Sequence, residues 1–134
     1  MRSQAESAML VLLLACLAAC HDETESDSDE PIAIEDATAL DERPCPEDSQ
    51  LTYENFGGPF VLSWCSGCHA SALPDGERQG APVGSDFDDA ERVRGAAARI
   101  WLRSGDHNAS MPPQAGPDDE DRTRLGEWLA CGAR

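Results

Sequence analysis

The sequence predicts an all-α fold, in which a small helical domain with long loops follows a disordered acidic linker. The first observation is that residues 88–103 and 119–130 repeat apolar side chains at the spacing of one helix face. The second is that stretches rich in glycine and proline lie before and between these segments, as long loops require. The third is that no segment of residues 45–134 alternates polar and apolar side chains with the period of a strand.

The first residues of the chain resemble a bacterial export signal. Arg2 supplies a charged start, and Met9–Ala19 is an apolar run too short to span a bilayer comfortably. The run ends in LAAC, which resembles the lipobox of bacterial lipoproteins. This resemblance implies that residues 1–19 are a lipoprotein signal peptide and that Cys20 is diacylated. Ordinary cleavage near Ala19 and an uncleaved anchor are the alternatives.

The predicted export signal and lipid anchor place the mature chain outside the cytoplasm. Two acyl chains are enough for stable membrane anchoring. We therefore expect an exported protein, lipid-anchored to the inner or outer membrane and facing the periplasm or the cell exterior. The formal net charge of −16 argues against nucleic acid as a partner, because phosphates repel an acidic surface.

The segment after the lipobox is dense in aspartate, glutamate, serine and threonine. It reads HDETESDSDEPIAIEDATALDERP and has almost no large apolar side chains. Such a composition cannot bury enough surface to fold. We therefore expect residues 20–44 to be the lipidated N-terminus and an acidic disordered linker, and residues 45–134 to be the folded domain.

Cysteine usage predicts one disulfide. Four of the six cysteines belong to the signal peptide, the lipidation site or the motif WCSGCH. The other two, Cys45 and Cys131, stand near the two ends of the folded segment. In an oxidising compartment these two most simply form a bridge, and two free buried thiols are the alternative.

The helical elements follow in order along the folded segment. The run GGP breaks the chain, and Pro59 suits the first turn of a helix over Phe60–His69. Residues 73–86 are a loop rich in glycine and proline. Asp88 with Glu91 resembles a capping box that begins the helix over 88–103.

Two amphipathic faces complete the expected core. The helix over 88–103 ends before Gly105, and a loop then leads to the final helix over 119–130. The apolar side chains of the two faces are Val93, Ala97, Ile100 and Trp101 on the first helix, and Leu125, Trp128 and Leu129 on the second.

The motif WCSGCH admits three chemistries. A thiol–disulfide pair of the thioredoxin type needs a strand before the motif and alternating strands and helices around it, which this sequence lacks. A structural zinc site needs a second cluster of ligands, whereas the remaining histidines of the mature chain, His21 and His107, stand apart.

The third chemistry is covalent attachment of haem, for which C-x-x-C-H is the c-type signature. Residues three apart lie on one helix face, so Cys65 and Cys68 can both reach the vinyl groups of one haem. His69 follows directly and can ligate the iron as the proximal ligand. Met111 is the only methionine of the expected mature chain, and two prolines follow it in the run SMPP.

The run CSGCH, followed by MPP and a closing helix with aromatic side chains, resembles a class I cytochrome c over about residues 53–130. The resemblance implies a small helical domain wrapped around one covalent haem c. It implies that Cys65 and Cys68 hold the haem, that His69 is the proximal iron ligand and that Met111 is the distal one.

The resemblance also implies supporting residues. In the family, a proline-containing loop after the motif accepts a hydrogen bond from the proximal imidazole through a backbone carbonyl. Pro82 is the best match for this loop, with Pro74 second. We expect Trp101 to flank the haem. The first helix should pack on the last, through Phe60 and Trp64 against Trp128 and Leu129.

Two departures from the family leave questions open. Many soluble carriers of the family dock through lysines, but all ten basic residues here are arginine. Docking on redox protein partners would therefore rest on arginine, on an apolar rim, or on negative charge that meets a basic partner. His107 is an alternative distal ligand.

The sequence thus predicts an electron carrier, and no enzyme, anchored at the membrane outside the cytoplasm. It would pass single electrons between redox proteins. The alternatives are a thiol–disulfide oxidoreductase that uses Cys65 and Cys68, and a haem-based sensor or accessory module in which a small ligand displaces Met111.

Overall fold

The computed structural model describes residues 33–134. This part of the chain is helical and contains no strand, which confirms the all-α prediction for it. The signal peptide, the lipidation site Cys20 and the first part of the expected linker lie outside the described residues. The α-helices of the described part are α1 (Gly58–Trp64), α2 (Ala90–Gly95), α3 (Ala97–Ser104) and α4 (Asp119–Ala130).

A π-helical turn, Tyr53–Gly57, lies directly before helix α1 and leads into it. Thr52 and Asn55 cap this turn reciprocally: the Asn55 N–H donates to Thr52 Oγ1 at 3.2 Å, and the Thr52 N–H donates to Asn55 Oδ1 at 2.8 Å. Pro59 lies in the first turn of α1, as the sequence predicts.

Helix α1 ends at Trp64, so the motif cysteines lie in turns after the helix rather than inside it. The Ser66 hydroxyl donates to the carbonyl of Val61 at 3.0 Å and competes with the helical hydrogen bonds there. The His69 N–H still donates to the Cys65 carbonyl at 2.9 Å. One helix-like turn therefore brings the motif residues together.

The predicted helix over 88–103 is divided into α2 and α3. The break lies at Ala96, whose φ and ψ are −108° and 4°, directly after the poor helix former Gly95. The cap is Asp89, which accepts a hydrogen bond from the Arg92 N–H, and not the predicted Asp88. Helix α3 ends before Gly105, as predicted.

Helix α4 has the bounds that the sequence predicts, and its apolar stripe is fully buried in the core. Asp118 caps it by accepting a hydrogen bond from the Asp121 N–H at 2.9 Å. The π-helical turn packs on this stripe. The Trp128 ring lies 6.3 Å from the rings of both Tyr53 and Phe56, and Gly57 lies directly against its indole.

The end of the chain is tied to the start of the domain. The disulfide joins Cys45 to Cys131, the pairing that the sequence predicts, with 5.0 Å between their Cα atoms. The carbonyl of Arg134 accepts hydrogen bonds from the Tyr53 N–H and from Trp128 Nε1, at 2.6 and 3.1 Å. These links hold the start of the helical region against the end of α4.

Residues 33–44 differ from the expected disordered linker, because they pack on the domain. Ala37 is buried in the core. Arg43 is also buried and forms a bidentate ion pair with Asp106, with Nε–Oδ2 and Nη2–Oδ1 distances of 2.7 and 3.0 Å. The folded unit therefore begins before residue 45. Within residues 33–134, no helix has both the length and the apolar character needed to cross a membrane.

Candidate functional site

One cavity collects most of the residues that the sequence analysis selects. Its volume is about 360 Å³, within the range of about 300–1,000 Å³ of small-molecule and cofactor sites. Cys65, Cys68, His69, Pro82 and Met111 all line it. The other lining side chains are Phe60, Trp64, Ser85, Phe87, Arg99, Ile100, Arg103, Ser104, Pro112 and Pro113.

The chemistry of this lining fits a c-type haem. Most of the walls are aromatic, aliphatic or proline side chains, which suit an apolar ring. Arg99 and Arg103 supply two guanidinium groups, which suit the two carboxylates that a haem carries. Two thiols, one imidazole and one thioether supply the attachment and ligation groups that the c-type architecture uses.

The motif thiols are poorly suited to exchange chemistry. Cys65 and Cys68 are free and half-buried. Burial of Cys65, with a smaller contribution from the nearby Cys68, raises the pKa of the Cys65 thiol to about 12. Thiol–disulfide exchange requires a thiolate, and reactive cysteines have pKa values below the ordinary one.

The imidazole of His69 is held in one orientation. Its Nδ1 lies 2.7 Å from the Ser85 carbonyl oxygen, and because a carbonyl only accepts, Nδ1 carries the proton. The ring stacks on Phe87, with 4.7 Å between ring centroids and 19° between planes. In the neutral imidazole this arrangement leaves the lone pair on Nε2, the atom with which the ring would bind iron.

The carbonyl that orients His69 belongs to Ser85 and not to Pro82, which corrects the sequence prediction. Pro82 lines the cavity, but its own carbonyl accepts hydrogen bonds from the Ser85 N–H at 3.0 Å and from Arg78 Nη2 at 3.0 Å. Those bonds form the turn that brings Ser85 to the imidazole. Pro82 was expected to accept the hydrogen bond from His69, and it instead holds Ser85, which accepts that bond.

Arg78 is a residue of this region that the sequence analysis missed. Its side chain is only 2% exposed and lies inside the loop after the motif. It donates to the carbonyls of Ala70 and Ser85 at 2.8 and 3.3 Å and to Asp86 Oδ1 at 2.6 Å. The sequence carries little signal for this role, because Arg78 is the single basic residue of a loop rich in glycine and proline and its partners are mostly backbone carbonyls.

Met111 is brought to the same cavity from the far loop. Its side chain lines the cavity and is 38% exposed. Its N–H donates to the carbonyl of Arg103 at 2.9 Å, and its own carbonyl accepts from Arg122 Nη1 at 3.1 Å. The backbone on both sides of the Met111 Cα is therefore fixed.

Trp101 and His107, which the sequence analysis also selects, do not line the cavity. Trp101 is 1% exposed and lies in the core, where its Nε1 donates to Asp106 Oδ2 at 2.6 Å. His107 is exposed and lies edge-on to Trp101, with 6.3 Å between ring centroids. The neighbour Ile100, on the same helix, lines the cavity where Trp101 was expected.

Within residues 33–134, no cluster of three or more His, Cys, Asp or Glu side chains is arranged to hold a metal ion. No protein-family model matches the chain, and no curated protein or solved structure matches it. The functional argument therefore rests on the chemistry and geometry of the cavity.

Proposed function

We propose that this chain is a monohaem c-type cytochrome that passes single electrons between redox proteins, anchored through Cys20 to a membrane outside the cytoplasm. One observation carries the proposal: the two motif thiols, the His69 imidazole and the Met111 thioether line a single, mostly apolar cavity. Three groups of the motif and a fourth group from 42 residues further along the chain share one site, and c-type haem proteins use these four groups together.

Each lining group has a defined part in holding the cofactor. Cys65 and Cys68 would form thioether bonds to its vinyl groups. His69 would ligate the iron through Nε2, because Nδ1 is engaged by the Ser85 carbonyl. Met111 would supply the second axial ligand. A haem bound in this way supplies reversible one-electron redox chemistry.

The surroundings favour electron transfer over catalysis. His69 and Met111 together would supply two protein ligands to the iron, which would leave no open position for a substrate. The aromatic and aliphatic lining would shield the cofactor from water, and Arg99 and Arg103 would neutralise its carboxylates. The chain has a formal net charge of −16, so a partner with a basic surface would dock most readily.

The two alternatives differ in their support. The raised pKa of Cys65 and the absence of strands from residues 33–134 count against a thiol–disulfide oxidoreductase. A haem-based sensor has one observation in its favour, which is the 38% exposure of Met111. An exposed ligand is the one that a small molecule displaces most easily.

Intact-mass spectrometry tests the proposal on full-length protein expressed with the machinery for c-haem attachment. We expect the mass of one covalent haem on the wild type and none on Cys65→Ala/Cys68→Ala. Carbon monoxide added to the ferrous protein then separates carrier from sensor. An unchanged spectrum indicates a carrier, and rapid binding indicates a sensor. Wild-type protein without haem would contradict the whole proposal.

A further inference from the structure

A buried arginine on α4 lies beneath the loop that carries Met111. The side chain of Arg122 points into the protein, and the residue is only 6% exposed. Its Nη1 lies 3.0 Å from the carbonyl oxygen of Ser104, 3.1 Å from that of Asn108 and 3.1 Å from that of Met111. One nitrogen therefore joins the end of α3, the middle of the loop and the methionine itself.

Apart from Arg122, the loop is held by a few local contacts. The Asn108 N–H donates to the Gly105 carbonyl at 2.9 Å, and the Met111 N–H and Ser110 hydroxyl donate to the Arg103 carbonyl at 2.9 and 3.3 Å. Pro117, after the loop, is buried. Residues 107–115 are exposed or half-buried, so packing contributes little to their placement. On the far side of Met111, Gly116 rests directly on the same guanidinium, since a Cβ there would lie 2.5 Å from Arg122 Nη2. Both arms of the methionine loop thus contact Arg122.

The charge environment of Arg122 strengthens these contacts. Two other buried arginines, Arg43 and Arg78, are paired with the carboxylates of Asp106 and Asp86. Within the described part of the chain, no carboxylate lies within 4.0 Å of the Arg122 guanidinium, and carbonyl oxygens are its partners. A buried cation without a counter-ion depends on such dipoles, so separating the loop from Arg122 is costly.

We propose that Arg122 is the positioning residue for the distal ligand: it holds the Met111 loop at the cavity and so sets how firmly Met111 ligates iron. The inference rests on the proposed haem function and adds a determinant on α4, outside the cavity lining. Removing Arg122 frees three carbonyls and lets the loop swing away, while the cysteines and His69, on the other side of the cavity, keep their places.

The test compares three variants of the full-length holoprotein, each read by the sulfur–iron charge-transfer band and by the rate of cyanide binding to the ferric protein. Cyanide binds only after the methionine leaves, so this rate reports loop opening. Arg122→Met should lose most of the band and bind cyanide at least about tenfold faster, as expected for loss of charged hydrogen bonds. Arg122→Lys offers one N–H for each carbonyl and should give an intermediate rate.

The matched control is Arg124→Met, two residues along the same helix. Arg124 is half-buried, pairs with Asp121 at 3.4 Å and lies over the Phe56 ring, so its removal changes the net charge equally without touching the loop. Its band and cyanide rate should equal those of the wild type. If Arg122→Met does not yield folded holoprotein, the cyanide rate of Arg122→Lys tests the inference instead. A rate between those of the wild type and an open iron supports the inference, and the wild-type rate overturns it.

Other outcomes are equally clear. A wild-type band and rate in Arg122→Met overturn the inference and leave the haem proposal intact. Haem in the wild type without the sulfur–iron band means that Met111 is not a ligand, which overturns the inference and the ligand role of Met111 in the proposed function, but not covalent haem attachment. A wild type without haem overturns the inference and the proposed function together.

Discussion

At the scale of single residues, Asp88 links the turn after His69 to the start of α2. Its Oδ1 and Oδ2 accept a hydrogen bond from the Ser71 N–H, at 3.0 and 3.2 Å. This backbone hydrogen bond is the main cause that lowers the pKa of Asp88 below its ordinary value, and Arg92 contributes further. A carboxyl whose pKa is lower in the folded state stabilises that state while it is ionised.

We therefore predict a pH-dependent effect of Asp88→Asn. The variant should be less stable than the wild type at neutral pH, and the difference should shrink as the pH falls through the folded pKa of Asp88, below its ordinary value of 3.8. Urea unfolding from pH 7 to pH 3 measures this. Asp41→Asn is the control, because Asp41 is exposed and accepts no hydrogen bond from another residue of the described part. A difference that stays constant with pH would contradict the assignment.

The residue scale also shows what a sequence can encode. The side chains whose type defines their chemistry, Cys65, Cys68, His69 and Met111, can be predicted, and the structure brings them to one cavity. The partner of His69 is a backbone carbonyl, which every residue carries, so the choice between Pro82 and Ser85 depends on loop geometry alone. The burial of Arg78 and Arg122 likewise depends on backbone carbonyls, which lie 3–8 residues from Arg78 and 11–18 residues from Arg122.

At the scale of elements, the π-helical turn and α4 meet where a backbone segment lies directly against a core side chain. Gly57 lies on the indole of Trp128, which is fully buried, and a Cβ at Gly57 would overlap three atoms of that ring. The absence of a side chain at Gly57 is therefore required for the two elements to meet.

We predict that Gly57→Ala lowers the free energy of unfolding by about 1–3 kcal/mol, the usual cost of overpacking a core. Gly95→Ala is the matched control, because Gly95 is also helical and nothing lies within 4 Å of a Cβ built there. Replacing that glycine should leave stability unchanged or raise it by up to about 1 kcal/mol. Chemical denaturation measures both, and equal stabilities of the two variants would contradict the packing account.

The elements differed in how well periodicity predicts them. Helix α4 has a strong cap and an uninterrupted stripe, so its predicted and observed bounds agree. The segment 88–103 keeps one apolar face across a break at Ala96, and periodicity alone does not record such a break. The π-helical turn adds Tyr53 and Phe56 as ring neighbours of Trp128, which periodicity did not predict, while the predicted Phe60 lies in the same core cluster and Trp64 packs against that cluster.

At the scale of the whole molecule, one bridge closes the domain. The Cys45–Cys131 disulfide spans 86 residues of sequence and encloses every element from the π-helical turn to α4. A loop of this length is the case in which a cross-link restricts the unfolded chain most, by about 4 kcal/mol in the chain-entropy account.

We predict that Cys45→Ser/Cys131→Ser unfolds at lower urea concentration than the wild type, with a loss of stability of about 2–5 kcal/mol. A thiol reductant should lower the stability of the wild type towards that of the variant. The same reductant should leave the variant unchanged, since the thioether bonds proposed for Cys65 and Cys68 are not reducible. Equal stability of the two oxidised proteins would contradict this account of the bridge.

At this scale, composition predicted the start of the folded domain poorly. Residues 33–44 continue the acidic composition of the preceding segment, yet Ala37 enters the core and Arg43 reaches Asp106. The two charges lie 63 residues apart in sequence, so local composition does not reveal their pairing. Composition reports the mean character of a segment, whereas one buried ion pair and one buried alanine determine where it packs.

The measurement that tests the central claim most directly is the sulfur–iron charge-transfer band of the oxidised holoprotein, compared in the wild type, Met111→Ala and His107→Ala. The account predicts the band in the wild type, its loss in Met111→Ala and its retention in His107→Ala, because Met111 lines the cavity and His107 lies outside it. A band that is absent from the wild type, or a spectrum that changes only in His107→Ala, would contradict ligation by His69 and Met111 in this cavity.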